Sequence, residues 1–276
     1  MRIYKSKGEI TDYDIRTPEL AMQTLASITG IPNNIWVYKS YLSDGNVDAD
    51  YLYDIIEKYN GHLPSFEDLY LIISHITTSA NGCIETAENG IGDLQSAYRN
   101  PNSELRQFLD INGIDIQIDN SCLVHNGMYY SIEYDRYDCP LDDESVEYKG
   151  WSVGRRFYSD NGLCGFFAIN PKIPYGGDVH KRPEILFNID ELLNTNLSDD
   201  WKNSHTAYEI VFKTHSSELE LYEHSNDEDE TKVIKLLLYA FDIMCSGSSE
   251  MYAQLKPDAQ VTPDKIIDIL PFDKWQ

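Results

Sequence analysis

Three short segments carry the residue types best suited to chemistry. His75 lies in the run Leu69–Thr77, whose nearly continuous apolar character predicts a central, buried strand. Side chains alternate along a strand, so His75 and Thr77 share a face and offer two polar groups for a ribose or an amide. The plainer alternative is a core histidine satisfied by its neighbours. Gly165–Asn170 predicts a second strand, followed by Tyr175-Gly176-Gly177-Asp178. The glycines permit close backbone approach and leave the Tyr175 face open for stacking, unless this is simply a turn with a packed tyrosine. Glu209 opens the run Tyr208–Lys213. A carboxylate there, beside a cleft, can accept from a ribose hydroxyl and stabilise growing positive charge; an ordinary edge-strand glutamate is the alternative. His180, Lys181 and Arg182 form a basic cluster that suits a pyrophosphate or an acidic group, and equally a solvated loop.

The elements that must position these residues fall into three sequential regions. Residues 1–66 predict a helical N-terminal extension. Thr17-Pro18-Glu19 is a helix-start signal, Gly30 and Pro32 a stop, and a second helix spans Asp48–Tyr59. Residues 67–245 form the candidate catalytic body, with 92–164 as a long segment between its first two motifs. Helices are predicted at Cys83–Asn89, Asn102–Asn112 and Val233–Met244. Strands are predicted at Cys122–His125 and Met128–Tyr134 around the hairpin signal Asn126-Gly127, and at Glu184–Ile189. Residues 246–276 form a C-terminal tail with one short helix or strand at Ile266–Leu270. Acidic stretches at Glu133–Glu147 and Glu218–Glu230 predict solvated loops or helix leads.

Composition narrows the function classes. The chain has 22 basic and 46 acidic residues among 276, a formal charge of −24, which disfavours non-specific nucleic-acid binding and permits a basic protein partner. Five cysteines with no C-x-x-C spacing argue against a disulfide framework and a zinc site, and for a reducing cytoplasm. The N-terminus lacks the apolar core of a signal peptide, and no apolar run approaches the ~20 residues that span a bilayer. Neither a P-loop lysine motif nor G-x-S-x-G nor H-E-x-x-H is present.

In order and spacing, the strand bearing His75-x-Thr77, then Gly165-Phe166-Phe167-Ala168 leading to Tyr175-Gly176, then Tyr208-Glu209-Ile210-Val211-Phe212, resembles the ADP-ribosyltransferase superfamily in its His–Tyr–Glu branch. The resemblance covers roughly residues 69–213. It implies an α+β fold with a split β-sheet, and NAD as substrate. His75 would hold the ribose, Thr77 support that strand, Tyr175 stack on the nicotinamide and Glu209 be the catalytic acid residue, with Lys181 and Arg182 as substrate or phosphate contacts. Ile76 departs from the pattern, standing where many members carry glycine. The implied activity is transfer of ADP-ribose to a protein, RNA or DNA acceptor, as an intracellular bacterial or phage toxin or antiviral effector with a possible antitoxin or basic protein partner. The alternative is a non-enzymatic acidic protein that occupies a basic surface of a partner.

Overall fold

The computed structural model describes residues 11–43, 47–160, 162–220, 228–247, 249–257 and 259–275. Its elements begin with β1 (Thr11–Tyr13), α1 (Pro18–Thr29), α2 (Asn33–Leu42), α3 (Ala49–Lys58), β2 (Leu69–Ser79), α4 (Ile84–Asn89), α5 (Leu94–Arg99) and α6 (Glu104–Ile111). There follow β3 (Ile114–Gln117), β4 (Cys122–His125), β5 (Met128–Ser131), α7 (Val146–Tyr158), β6 (Cys164–Ala168), α8 (Glu184–Leu193) and α9 (Leu197–Ser204). The last are β7 (Thr206–His215), α10 (Asp229–Ser246), β8 (Met251–Gln254) and β9 (Ile266–Pro271). The class is α+β. The chain divides into two compact units. One holds the described residues up to His75 with Cys164–Ile173 and Val211–Lys256; the other holds Ile76–Leu163, Pro174–Ile210 and the described residues after Lys256. Strands β2 and β7 each pass from one unit into the other. Residues 1–66 therefore share a unit with later segments, and both 67–245 and 246–276 contribute to both units.

In the first unit, local signals start and stop the helices. The Thr17 hydroxyl accepts the Leu20 N–H at 3.3 Å, Pro18 fills the first turn, and Gly30 ends α1 at φ 72°. Asp48 caps α3 by accepting from the Tyr51 N–H at 2.9 Å. The acidic first turn of α10 complements its dipole, and its apolar face buries Val233, Leu237, Ala240 and Phe241. Trp36 meets the edge of Phe241 at 6.1 Å, and the Tyr13 hydroxyl donates to the Leu236 carbonyl at 2.8 Å. Burying a side chain such as Phe241 contributes roughly 1.5–3 kcal/mol. Strand order in this unit is β8-β6-β2-β7, with β1 parallel to β2. Strand β6 is antiparallel to both neighbours, pairing Phe166 with Ser74 and Gly165 with Ala253.

In the second unit, β2, β7 and β9 are successive neighbours, and β3-β4-β5 form a separate antiparallel sheet. Asn126 and Gly127 both adopt positive φ, 50° and 76°, and close the predicted two-residue hairpin between His125 and Met128. One core of this unit joins Leu109, Leu123, Val153, Phe157, Ile189 and Trp201, contributed by four helices and a strand. One sequence expectation is corrected here. Glu184–Ile189 is not a strand but the first half of α8. Its buried residues Ile185, Leu186, Ile189 and Leu192 follow helical spacing, which emerges only once the window extends to Leu193. The first acidic stretch is, as expected, a solvated helix lead: an exposed loop in which Ser145 caps the Tyr148 N–H runs into α7, a helix whose range the sequence reading did not give.

Candidate functional site

His75 sits on β2, in the first unit, half-buried. Gly165 opposite lets the strands close: a Cβ there would meet the Ser74 carbonyl at 2.8 Å and Ile73 at 2.6 Å. That approach brings the Cys164 carbonyl within 2.8 Å of His75 Nδ1. A carbonyl only accepts, so Nδ1 carries the hydrogen, and the neutral ring presents Nε2 as an acceptor. Burial lowers the His75 pKa below the ordinary histidine value, partly offset by the bond to Cys164. Thr77 follows on the same face of β2, half-buried, and belongs to the second unit. Between them Ile76 is buried, so its position offers backbone and little else.

The remaining expected site residues all belong to the second unit. Glu209 lies on β7 and is 7% exposed. Its Oε2 accepts from Lys274 Nζ at 2.9 Å, a lysine from the segment after β9. Tyr175 opens a chain of tight turns: Asp178 N–H donates to the Tyr175 carbonyl, and Lys181 N–H to the Asp178 carbonyl. Asp178 itself takes φ 54°. A Cβ at Gly177 would lie 2.6 Å from the Tyr175 ring and 2.4 Å from Glu184 Oε1, so a larger residue there must displace one of these side chains. Glu184 is in turn gripped by Arg156, which also binds Asp160 at 2.6 Å and Asn188 at 3.1 Å. Arg156 is thus held by structural partners.

In the basic cluster each member has a different setting. Lys181 pairs with Asp178 at 2.7 Å, and this hydrogen bond lowers the Asp178 pKa. Arg182 lies 5.0 Å from the Phe187 ring centre and is half-buried, which lowers its pKa. His180 packs edge-on against Trp275 at 5.4 Å, its Nδ1 is buried without a hydrogen-bond partner among the described residues, and burial followed by the Lys181 charge lowers its pKa.

Sequence reasoning missed Lys274 and Trp275. Their only early signal was the short apolar element at Ile266–Leu270, which becomes β9 and delivers them. It also missed a polar network at the end of β2. Glu104 Oε1 accepts from Ser79 Oγ at 2.6 Å, and its Oε2 accepts from the Ala80 N–H at 2.7 Å and lies 3.2 Å from His205 Nε2. His205 stacks on Trp201 at 3.6 Å, and Trp201 Nε1 donates to Thr78 Oγ1 at 2.8 Å. Through Ser79 and the Ala80 N–H, the Glu104 carboxylate pins the turn after β2. Beside it, burial pushes the Cys83 thiol up to about 11, with the Ser79 bond opposing and the Glu104 charge adding, so this cysteine is no nucleophile at neutral pH. All five cysteines are free thiols. Among the described residues no helix is long and apolar enough to cross a membrane, and no group of three or more His, Cys, Asp or Glu is arranged to hold a metal ion. No protein-family model, curated protein or solved structure matches the chain.

Proposed function

We propose that the chain is a mono-ADP-ribosyltransferase that uses NAD and acts in the cytoplasm on a macromolecular acceptor, with a split-sheet architecture of the ADP-ribosyltransferase kind. The observation that carries this reading is Glu209, a carboxylate 7% exposed on a sheet strand and in contact with a cation. A carboxylate so enclosed, already in contact with an ammonium, suits positive charge, and breaking the nicotinamide–ribose bond creates such charge at C1′. In this reading the C1′–N bond electrons leave with nicotinamide while Glu209 accepts the ribose 2′-hydroxyl and offsets the oxocarbenium character. A nucleophile on the acceptor then bonds to C1′ and gives up its proton. His75 Nε2, kept as an acceptor by the Nδ1–Cys164 bond, suits a second ribose hydroxyl. Tyr175, seated over Gly177, suits the nicotinamide face, and Thr77 supports the His75 strand. Lys181 and Arg182 suit phosphate oxygens, since the Lys181–Asp178 pair is exposed enough to exchange partners. A toxin or defence effector held by an antitoxin is the biological setting this chemistry fits.

The test is nicotinamide release from labelled NAD, with and without lysate. Wild type should release nicotinamide and label an acceptor. Glu209→Gln should fold normally and release it about 10²–10³-fold more slowly. Equal rates for the two proteins would remove Glu209 from catalysis.

A second reading has an observation of its own. The Glu133–Glu147 stretch is exposed almost throughout and carries Tyr137 at 93% and Leu141 at 104% exposure. An acidic surface with outward aromatic and aliphatic side chains suits a basic protein, without any enzyme chemistry. Tight capture of such a partner that weakens with salt, with NAD left intact, would favour it.

A further inference from the structure

The C-terminal segment does more in the second unit than end the chain. Strand β9 neighbours β7, and the Phe272 N–H continues the attachment by donating to the Ala207 carbonyl at 2.9 Å. Phe272 and Trp275 are both buried, with ring centres 4.9 Å apart. Trp275 then packs on His180, in the loop that also carries Tyr175, Lys181 and Arg182. Lys274, between the two anchors, reaches Glu209. One short segment therefore touches both β7 at the candidate acid and the turn structure that presents the candidate stacking tyrosine.

Its chemistry is uneven. The aromatic anchors are buried, but Lys274 remains 43% exposed and also lies 5.7 Å from the Phe272 ring centre. Water competes for such an ammonium, so the contact holds weakly and exchanges readily. Glu209, by contrast, is enclosed, and the Lys274 ammonium reaches it at 2.9 Å. The His180 Nδ1 left without a partner among the described residues marks a second place where this packing is polar-imperfect and easier to open.

We propose that Phe272–Trp275 is an autoinhibitory strap. Its Lys274 ammonium occupies the Glu209 carboxylate in place of the cationic sugar carbon, and must leave before a nucleotide can engage. This rests on the reading of Glu209 as the catalytic acid residue. A dinucleotide competes with the strap for the same acceptor. A ligand whose competent state is a minor population binds more weakly by that fraction. A strap closed about nine-tenths of the time thus weakens NAD binding on the order of tenfold.

The experiment compares full-length wild type, Lys274→Gln, a chain ending at Pro271, and Glu209→Gln. Melting temperature is read first, then NAD affinity by calorimetry, nicotinamide release, and amide exchange at 272–275 with and without NAD. Lys274→Gln keeps the anchors and serves if the shortened chain does not fold. The expected result is NAD affinity raised on the order of tenfold in Lys274→Gln, with faster exchange at 272–275 when NAD saturates the wild type. Unchanged affinity in Lys274→Gln and unchanged exchange, with release still abolished by Glu209→Gln, overturns the strap and leaves the proposed function intact. Absence of NAD binding in all four proteins overturns both.

Discussion

At the residue scale, His75 and Tyr175 owe their usable chemistry to a neighbour with little or no side chain. Gly165 lets a carbonyl reach His75 and fix one tautomer. Burial lowers the pKa of that ring, so near pH 6.5, where a free histidine is half-protonated, His75 is less protonated than a free ring. The folded ring therefore binds fewer protons than the unfolded one. Its contribution to stability is complete above the unfolded value and is lost as pH falls through the folded one. Long-range nitrogen NMR at about pH 6.5 should show His75 as the Nδ1–H tautomer. A ring averaging as imidazolium at that pH would undo the assignment of Nε2 as an acceptor. The stability advantage of wild type over His75→Gln, from urea midpoints, should likewise shrink as pH drops below that value. Gly177 serves Tyr175 in the same manner. Gly177→Ala must displace the tyrosine ring or the Glu184 carboxylate, and Arg156 holds the latter. The ring should give way. We expect KM for NAD to rise several-fold, with a stability loss of about 1 kcal/mol. An unchanged KM would separate Tyr175 from nucleotide binding.

At the element scale, α7 shows how glycine can be a packing residue in the middle of a helix. Gly150 and Gly154 are one turn apart, and a Cβ on either would lie 2.2 Å and 2.0 Å from the Ser131 and Ile132 carbonyls. The helix lies directly on backbone, with Val153 and Phe157 filling the core beside it. Isolated helix propensity would favour alanine by ~1 kcal/mol. Here the collision outweighs that gain because the obstructing atoms are backbone and cannot rotate away. Gly154→Ala should therefore destabilise the protein by about 1–3 kcal/mol, measured by urea unfolding. A more stable variant would show that α7 can slide off β5 without cost. The same pair of glycines explains why the helix was hard to see in the sequence, since they lower its propensity just after an acidic run.

At the scale of the whole molecule, charge is the dominant property. A formal charge of −24 on 276 residues repels itself across the folded surface. Several ion pairs among the described residues have a partner more than half open to solvent, such as Arg99–Asp119 at 56% and 90%, and such pairs offset little of it. Added salt screens the repulsion over ~10 Å near 0.1 M. The melting temperature should climb by a few degrees between about 20 and 200 mM sodium chloride, more than for a neutral protein of this size. A flat or falling curve would mean that the native pairs matter more than the net field. The acidic stretch at 218–230 lies largely outside the described residues. The exposed 133–147 loop is therefore where this field can be related to structure.

The sequence by itself determined what nearest neighbours decide. Thr17-Pro18 and Gly30 bounded α1, Asp48 started α3, Asn126-Gly127 made the hairpin, and the apolar run from Leu69 made β2. Each rests on a cap, a turn geometry or a period contained in a few residues. Tertiary structure decided whatever depended on a partner far along the chain. The helix at 184–193 owes its identity to a stripe that meets the core of its unit. The tautomer of His75 depends on a carbonyl 89 positions away, and the setting of Glu209 on a lysine 65 positions away. Local propensity carries no information about which distant group will arrive, because that is fixed by how the buried faces close on one another.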